Sequence, residues 1–303
     1  MKTVRTAAAV ALACFLGTGT GAAGAATEPA LPAPGQLAAL VFPGWSDSAG
    51  GRVHTVQVPP GGGGANGAGG WASGAARVVV APKLVLRGDG ERLTLIAGLV
   101  PAADDGRPAA TPQTPMALAA YQFERARGGW RVSSRQGIFA WRGFAGTATL
   151  HAVALSERRQ GLGVEYGGCW QGYCGTWLAL YEVDKGGIRR EPAVELALSG
   201  TNMAGAGDCA HRLQPLVRSR DAEPGARAEA VGGAEHDCYA IDSTWTIEPG
   251  GAHPGDLSIH YQGAISRSET RLSPPVAIDQ RQVLRYGSGK YRAISGFNPV
   301  PPI

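Results

Sequence analysis

The sequence predicts an all-β protein built from antiparallel hairpins, β-propeller-like or β-sandwich, with a Gly/Ala/Pro-rich linker on its N-terminal side. Three observations carry this prediction. Short apolar runs of period two recur from Arg77 onward, glycine-rich turns punctuate them, and no segment after residue 26 keeps a helical period beyond three turns.

The first element is not part of the fold. The chain begins MKTVRTAAAVALACFLGTGTGAAGAATEPA, where Lys2 and Arg5 precede an apolar run from Thr6 to Leu16. Small residues then lead to an Ala-rich cleavage site after Ala25 or Ala26. This layout predicts a secretory signal peptide over residues 1–26, because the run is too short to cross a bilayer. Cys14 follows Ala-Leu-Ala and loosely resembles a lipoprotein box, so lipid anchoring is the alternative to a periplasmic or secreted location. Leu12 just before Ala13, and the early position of Cys14, argue against that alternative. No later stretch approaches the ~18 apolar residues of a transmembrane helix.

Composition narrows the function classes. Arg far outnumbers Lys, and Ala and Gly dominate, as in the GC-rich genome of a bacterium. The formal net charge is +4, and loss of Lys2 and Arg5 with the leader lowers it by two. That is too weak for a binder of phosphate backbones, and no run of five Lys/Arg occurs, so nucleic acid is not an expected partner.

Residues 27–76 read as a Gly/Ala/Pro-rich linker or irregular segment. PPGGGGANGAGGWASGAA, Pro59 to Ala76, has too few apolar side chains to offset its ordering entropy. Before it, GQLAALVF suggests a brief helix and RVHTVQV alternates like a strand. Residues 77–303 read as the β domain. ARVVVAPKLVLRG and ERLTLIAG flank Gly88-Asp89-Gly90, and MALAAYQFE and WRVSSR flank Gly128-Gly129. TATLHAVAL, LGVEY and TWLALYEV follow, then Gly186-Gly187; QVLRY and KYRAISG flank Gly287-Ser288-Gly289. Three hairpins repeat a Tyr, a glycine turn, an apolar residue and an Arg, beginning at Tyr121, Tyr181 and Tyr286. Recurrent units point to a propeller; their irregular spacing fits a sandwich, with the pairs as ordinary cross-strand neighbours.

Without Cys14 the chain keeps Cys169, Cys174, Cys209 and Cys238. An even count in an exported chain predicts disulfides, and the expected pairing is Cys169–Cys174 across a hairpin and Cys209–Cys238 around a polar insertion near 209–238. Cys-x4-Cys without a nearby His does not make a zinc set, and it is neither the spacing nor the helix start of a redox dithiol.

Two constellations are candidate sites. GDCAH and EHDCY place Asp208, His211, His236 and Asp237 beside the second cysteine pair, a donor set suited to Zn²⁺ or Cu²⁺ if the four converge. With reduced thiols, Cys209, His211, His236 and Cys238 form a zinc-type set instead. The bland alternative is a solvated loop base. Around the short loop YGGCWQGYCGTW, Trp170 and Tyr173 sit at the tip, where flat rings on a stapled turn suit a glycan or a protein partner; Trp177 starts an apolar strand and is assigned to the core.

No Gly-x-Ser-x-Gly elbow, His-Glu-x-x-His or complete calcium loop is present, and no catalytic residue is assigned. The expected function is therefore that of an exported bacterial, non-catalytic β-rich protein that binds a partner or belongs to the envelope, with no cofactor. The alternatives are a secreted hydrolase using strand-end carboxylates (Glu165, Glu182, Asp184 and Asp242) or a periplasmic Zn/Cu-binding protein.

Overall fold

The computed structural model describes residues 30–48, 50–60, 71–88, 91–205, 208–218, 236–249, 251–268 and 274–302. The expected signal peptide, residues 61–70 of the glycine tract, Asp89 and Gly90 of the first turn and residues 219–235 of the insertion lie outside them. The chain divides into two units, Met1–Leu31 and Pro32–Ile303, and the fold described below belongs to the second.

Among the described residues, fourteen strands form two antiparallel sheets. β1 (Val53–Val58), β2 (Gly74–Arg87), β3 (Arg92–Pro101), β4 (Met116–Ala126) and β5 (Gly129–Arg142) make a five-stranded meander in chain order. The second sheet contains β6 (Thr149–Ser156), β7 (Arg159–Trp170), β8 (Tyr173–Asp184), β9 (Gly187–Ile188), β10 (Val194–Thr201), β11 (Cys238–Ile247), β12 (Leu257–Ser266), β13 (Val276–Gly287) and β14 (Lys290–Ser295). It too runs in chain order, with β9 paired to β8 off the main path. Most partners are joined by hairpins; the exception is β10–β11, whose strands are separated by α2 and the insertion.

Three apolar layers stack through these sheets. Helix α1 (Pro34–Val41) lays Leu37, Ala38 and Val41 on the outer face of the first sheet, against Leu93, Leu95, Ala97 and Leu99 of β3. The opposite face, with Ile96, Met116, Leu118 and Ala120, packs on Leu162, Val164, Ala179 and Tyr181 of the second sheet. Leu178 and Leu180 turn away into a third cluster with Ile241, Leu257, Ile259 and Tyr261. Because β3, β4 and β8 are buried on both faces, they read as nearly continuous apolar runs rather than clean alternation.

The face-to-face sheets correspond to the sandwich side of the expectation; four-stranded blades do not recur among the described residues. The three Tyr hairpins show why the repeat misleads. Tyr121 packs edge-on to Phe42 in the outer core, Tyr181 edge-on to Phe139 between the sheets, and Tyr286 edge-on to Tyr291 in the third cluster. The same local pattern serves three different layers.

In the segment 27–76 the brief helix and the strand expected before the glycine tract are present, and the linker reading is corrected at Trp71. The segment holds α1, a 3-10 turn at Gly50–Arg52 and strand β1, and Trp71 is buried with its indole N–H donating to the Pro115 carbonyl at 3.0 Å. Leu37, Val41, Phe42 and Trp71 supply the apolar surface that covers the outer face of the first sheet. These few side chains outweigh the glycine-rich average.

Both expected cystines are present: Cys169–Cys174 with S–S 2.13 Å, and Cys209–Cys238 with S–S 2.04 Å. The second ties helix α2 (Cys209–Arg218) to the start of β11.

Candidate functional site

The β7–β8 hairpin ends in the loop YGGCWQGYCGTW, with β10 paired alongside β8 as far as Cys174. Gln171 and Gly172 both take positive φ, 50° and 84°, as a two-residue type I′ turn requires. Gly172 is further restricted because a Cβ there would run into the Gly205 backbone. Gly205 also packs on the Tyr173 ring, fixing it from the side.

Register then decides which rings share a face. Tyr166 faces Trp177, Gly168 faces Gly175, and Trp170 faces Tyr173. Side chains alternate along a strand, so these three rungs lie on the face that buries Val164 with Ala179 and Leu162 with Tyr181 further down. Beyond the cover of the first sheet, that face emerges as an aromatic strip. Tyr166 and Trp177 stack at 5.9 Å with 20° between planes, Phe144 lies over the bare Gly168, and Trp170 projects at the tip with 64% of its surface exposed. The strip spans roughly 13 Å, four residues at the strand rise. Trp177, assigned to the core from sequence, is half-buried and forms part of it.

Polar groups border the strip. Tyr166 donates its hydroxyl to Glu195, whose other oxygen takes the Arg142 guanidinium at 2.9 Å, and Arg142 sits 5.5 Å from the Tyr166 ring centre. Burial, then the hydrogen bond and charge of Glu195, raise the Tyr166 phenol well above its ordinary value, so it stays a neutral donor. Tyr166, Trp177, Phe144, Arg142 and Glu195 were missed from sequence; rung counting back from the turn would have found the first two.

The metal set read from sequence does not converge. Asp208 and His236 meet, with His236 Nε2 3.4 Å from Asp208 Oδ1, while His211 is exposed on α2. Asp237 faces the other way, as neighbours in an extended chain must, and binds Arg267 Nη1 at 2.7 Å and the Ser268 amide at 2.8 Å. Burial pushes the Asp237 carboxyl up, but the Ser268 amide and Arg267 outweigh it and hold it below the usual range. The donors that do gather are Asp208, Cys209, His236 and Cys238, within 4.8 Å of one another. Both sulfurs are spent in the cystine, which leaves two donors where zinc needs four.

The strand-end carboxylates divide between two clefts. Glu165 and Asp242 line one of 730 Å³ with His151, Ser243 and Trp245, where Glu165 Oε1 accepts the Trp245 indole at 2.6 Å and lies 3.3 Å from His151 Nε2. Glu182 and Asp184 line another of 480 Å³. Comparison of the chain with family models, curated proteins and solved structures finds no match.

Proposed function

We propose that this chain is an exported bacterial, non-catalytic protein of the periplasm or cell surface that binds a glycan on the aromatic strip of the β7–β8 hairpin. The observation that carries the reading is the alignment of Tyr166/Trp177, Gly168/Gly175 and Trp170/Tyr173 on one face, half-buried at its base and open to solvent at Trp170. Sugar rings present apolar C–H faces that stack on such rings, while the Arg142–Glu195 pair meets hydroxyls at the edge. The cystine, the type I′ turn and Gly205 hold the rim in place before a ligand arrives, which lowers the entropy lost on binding. Export is supported by the leader and by two cystines.

The test is a titration of the mature protein with bacterial-envelope and plant oligosaccharides, read by tryptophan fluorescence and calorimetry. Saturable binding that Trp170→Ala abolishes, with the melting temperature unchanged, is the expected result. Absence of binding across the panel, or binding indifferent to Trp170→Ala, overturns the reading.

A second reading, a metal binder, is favoured by the four donors at Asp208, Cys209, His236 and Cys238. It requires a dithiol reductant, itself oxidised to a disulfide, to open the cystine; each sulfur takes up an electron and a proton, and the proton is released to solvent when the thiolate binds the metal. Native mass spectrometry of the reduced protein with zinc is expected to show one ion, lost in His236→Ala; a metal-free spectrum removes the reading.

A further inference from the structure

At the end of the β7–β8 hairpin opposite the aromatic strip, residues of both sheets line the 480 Å³ cleft. That volume belongs to the small-ligand class of about 300–1,000 Å³. Its charged walls come from the β2–β3 hairpin end with Arg87 and Arg92, the β6–β7 hairpin end with Arg158 and Arg159, the end of β8 with Glu182 to Lys185, and Arg189 just after β9; Gln122 of β4 and Ala252 also line it.

The charges do not balance. Apart from Arg87, which has a partner of its own, four arginines and one lysine face two carboxylates. Both carboxylates are already engaged. Glu182, 6% exposed, accepts the Tyr286 hydroxyl at 2.5 Å through Oε1 and faces Arg189 Nη1 at 2.9 Å through Oε2. Asp184 accepts the Gly186 amide at 2.7 Å and lies 3.6 Å from Arg189. Arg189 is thus the internal counter-ion of the cleft. Arg92, Arg158, Arg159 and Lys185 have no carboxylate partner among the described residues, and they stand on three separate turns around one concavity.

Gathering like charges is unfavourable unless something neutralises them, and guanidinium forks match tetrahedral oxyanions with two parallel hydrogen bonds. The walls hold their positions without a ligand: the Arg87 amide donates to Gln160 Oε1 at 2.7 Å, and Gln122 donates to the Lys185 carbonyl at 3.3 Å, each tying one sheet to the other. We propose that this cleft binds clustered phosphate groups, with Arg92, Arg158, Arg159 and Lys185 as the ligating cations. A single phosphate engages one or two of them; a ligand with adjacent phosphates satisfies cations on opposite walls at once. The cleft is too short for a nucleic-acid duplex, and the weak net charge of the chain supplies no flanking basic track.

The inference is independent of the glycan reading, since the two sites lie at opposite ends of the hairpin. Its test is calorimetry of the mature wild-type protein with inorganic tripolyphosphate, with orthophosphate as the single-group comparison. The expected result is saturable tripolyphosphate binding, weaker orthophosphate binding, and affinity falling as salt is raised. Arg92→Gln and Arg159→Gln are each expected to weaken tripolyphosphate by about tenfold, as loss of a charge-assisted bond does. Arg107→Gln, whose side chain pairs with Asp105 far from the cleft, leaves affinity unchanged. A parallel sedimentation assay uses phosphatidylcholine vesicles with and without phosphatidic acid: vesicle binding competed by tripolyphosphate assigns the phosphate to a lipid headgroup, and tripolyphosphate binding without vesicle binding assigns it to a soluble ligand. No heat with tripolyphosphate, or equal affinity in wild type and both cleft variants, overturns the proposal. Melting temperatures of the variants confirm that folded protein is compared.

Discussion

Trp245 donates its indole N–H to Glu165 Oε1 at 2.6 Å, joining β11 to β7 although β10 and β8 lie between them in the sheet. The contact exists because the sheet splits. β10 and β11 pair only at Gly200 with Ile241 and Thr201 with Ala240, so beyond Ile241 strand β11 swings inward over β6 and β7. His151 approaches the same carboxylate at 3.3 Å and meets the Trp245 ring edge-on.

The Trp245–Glu165 bond closes that curl and has an acceptor that is still one-third exposed, with 35% of the Glu165 side chain reaching solvent. Trp245→Phe keeps an aromatic ring and removes the donor. Unfolding free energy is expected to drop by about 1–2 kcal/mol, the range of a charge-assisted bond discounted for solvent. Urea denaturation measures it. Glu165→Gln, which keeps a neutral acceptor, is expected to lose less.

Removing the two cystines separately should have unequal effects. The chain-entropy relation gives about 2 kcal/mol for the loop of separation 5 and about 3–4 kcal/mol for the loop of separation 29. Paired Cys→Ala variants followed by chemical denaturation give both values. A thiol titration of denatured, non-reduced protein prepared without residues 1–26 is expected to find no free thiol.

Gly172→Ala tests the hairpin tip. The residue has φ +84°, and an added methyl meets the Gly205 backbone, so the substitution is expected to destabilise by about 1–3 kcal/mol. Trp170→Ala, two residues away and open to solvent, should leave the denaturation midpoint where it is. The contrast separates a conformational role from a ligand-facing one.

Alkaline stability follows from the buried phenols. Burial, joined at Tyr286 by the hydrogen bond and charge of Glu182, pushes Tyr121, Tyr181 and Tyr286 each up to about 12, against an ordinary 10.0. A value raised in the folded state means that the folded protein holds the proton more tightly. The contribution is complete below pH 10 and disappears as pH rises toward 12. Phenolate absorbance should therefore appear late and together with unfolding. Tyr286→Phe should remove part of that alkaline sensitivity while leaving Glu182 Oε1 without its donor, a loss of about 1–3 kcal/mol near neutral pH.

Acid has the opposite sign at Asp237. Its carboxyl is held below the ordinary 3.8, so its contribution is present above that pH and vanishes as pH falls through the lower folded value. Asp237→Asn is expected to flatten the acid limb of the stability profile. Circular dichroism across an acid series reads the change.

The hairpins closed by tight glycine turns were legible in the sequence: β7–β8 around Gly172, β8–β9 at Gly186-Gly187 and β13–β14 at Ser288-Gly289. In each, a local backbone requirement leaves a mark on residue choice. Strands β10, β11 and β12 were not picked out, because no tight turn announces them. β10 is separated from β11 by α2 and the insertion, and β11 from β12 by residues 248–256. Part of β11 also lacks a ladder neighbour on its β10 side. The linker reading failed at Trp71 because composition averages over a window, whereas burial is decided side chain by side chain.

By itself, then, the sequence determined the β class, the local hairpins and the presence of two cystines, and favoured the pairing that the structure shows; all of these depend on short separations or on a small set of thiols. Only the tertiary structure decided which rings align on the β7–β8 face, that Asp237 turns away from His236, and that Arg92 and Arg159 share one cleft. Side chains on turns joined through contacts such as Arg87 to Gln160, 73 residues apart, carry no mutual signature along the chain. Their meeting is set by how two sheets stack to bury Leu118, Leu162 and Tyr181, a hydrophobic requirement that is indifferent to the charges it brings together at the rim.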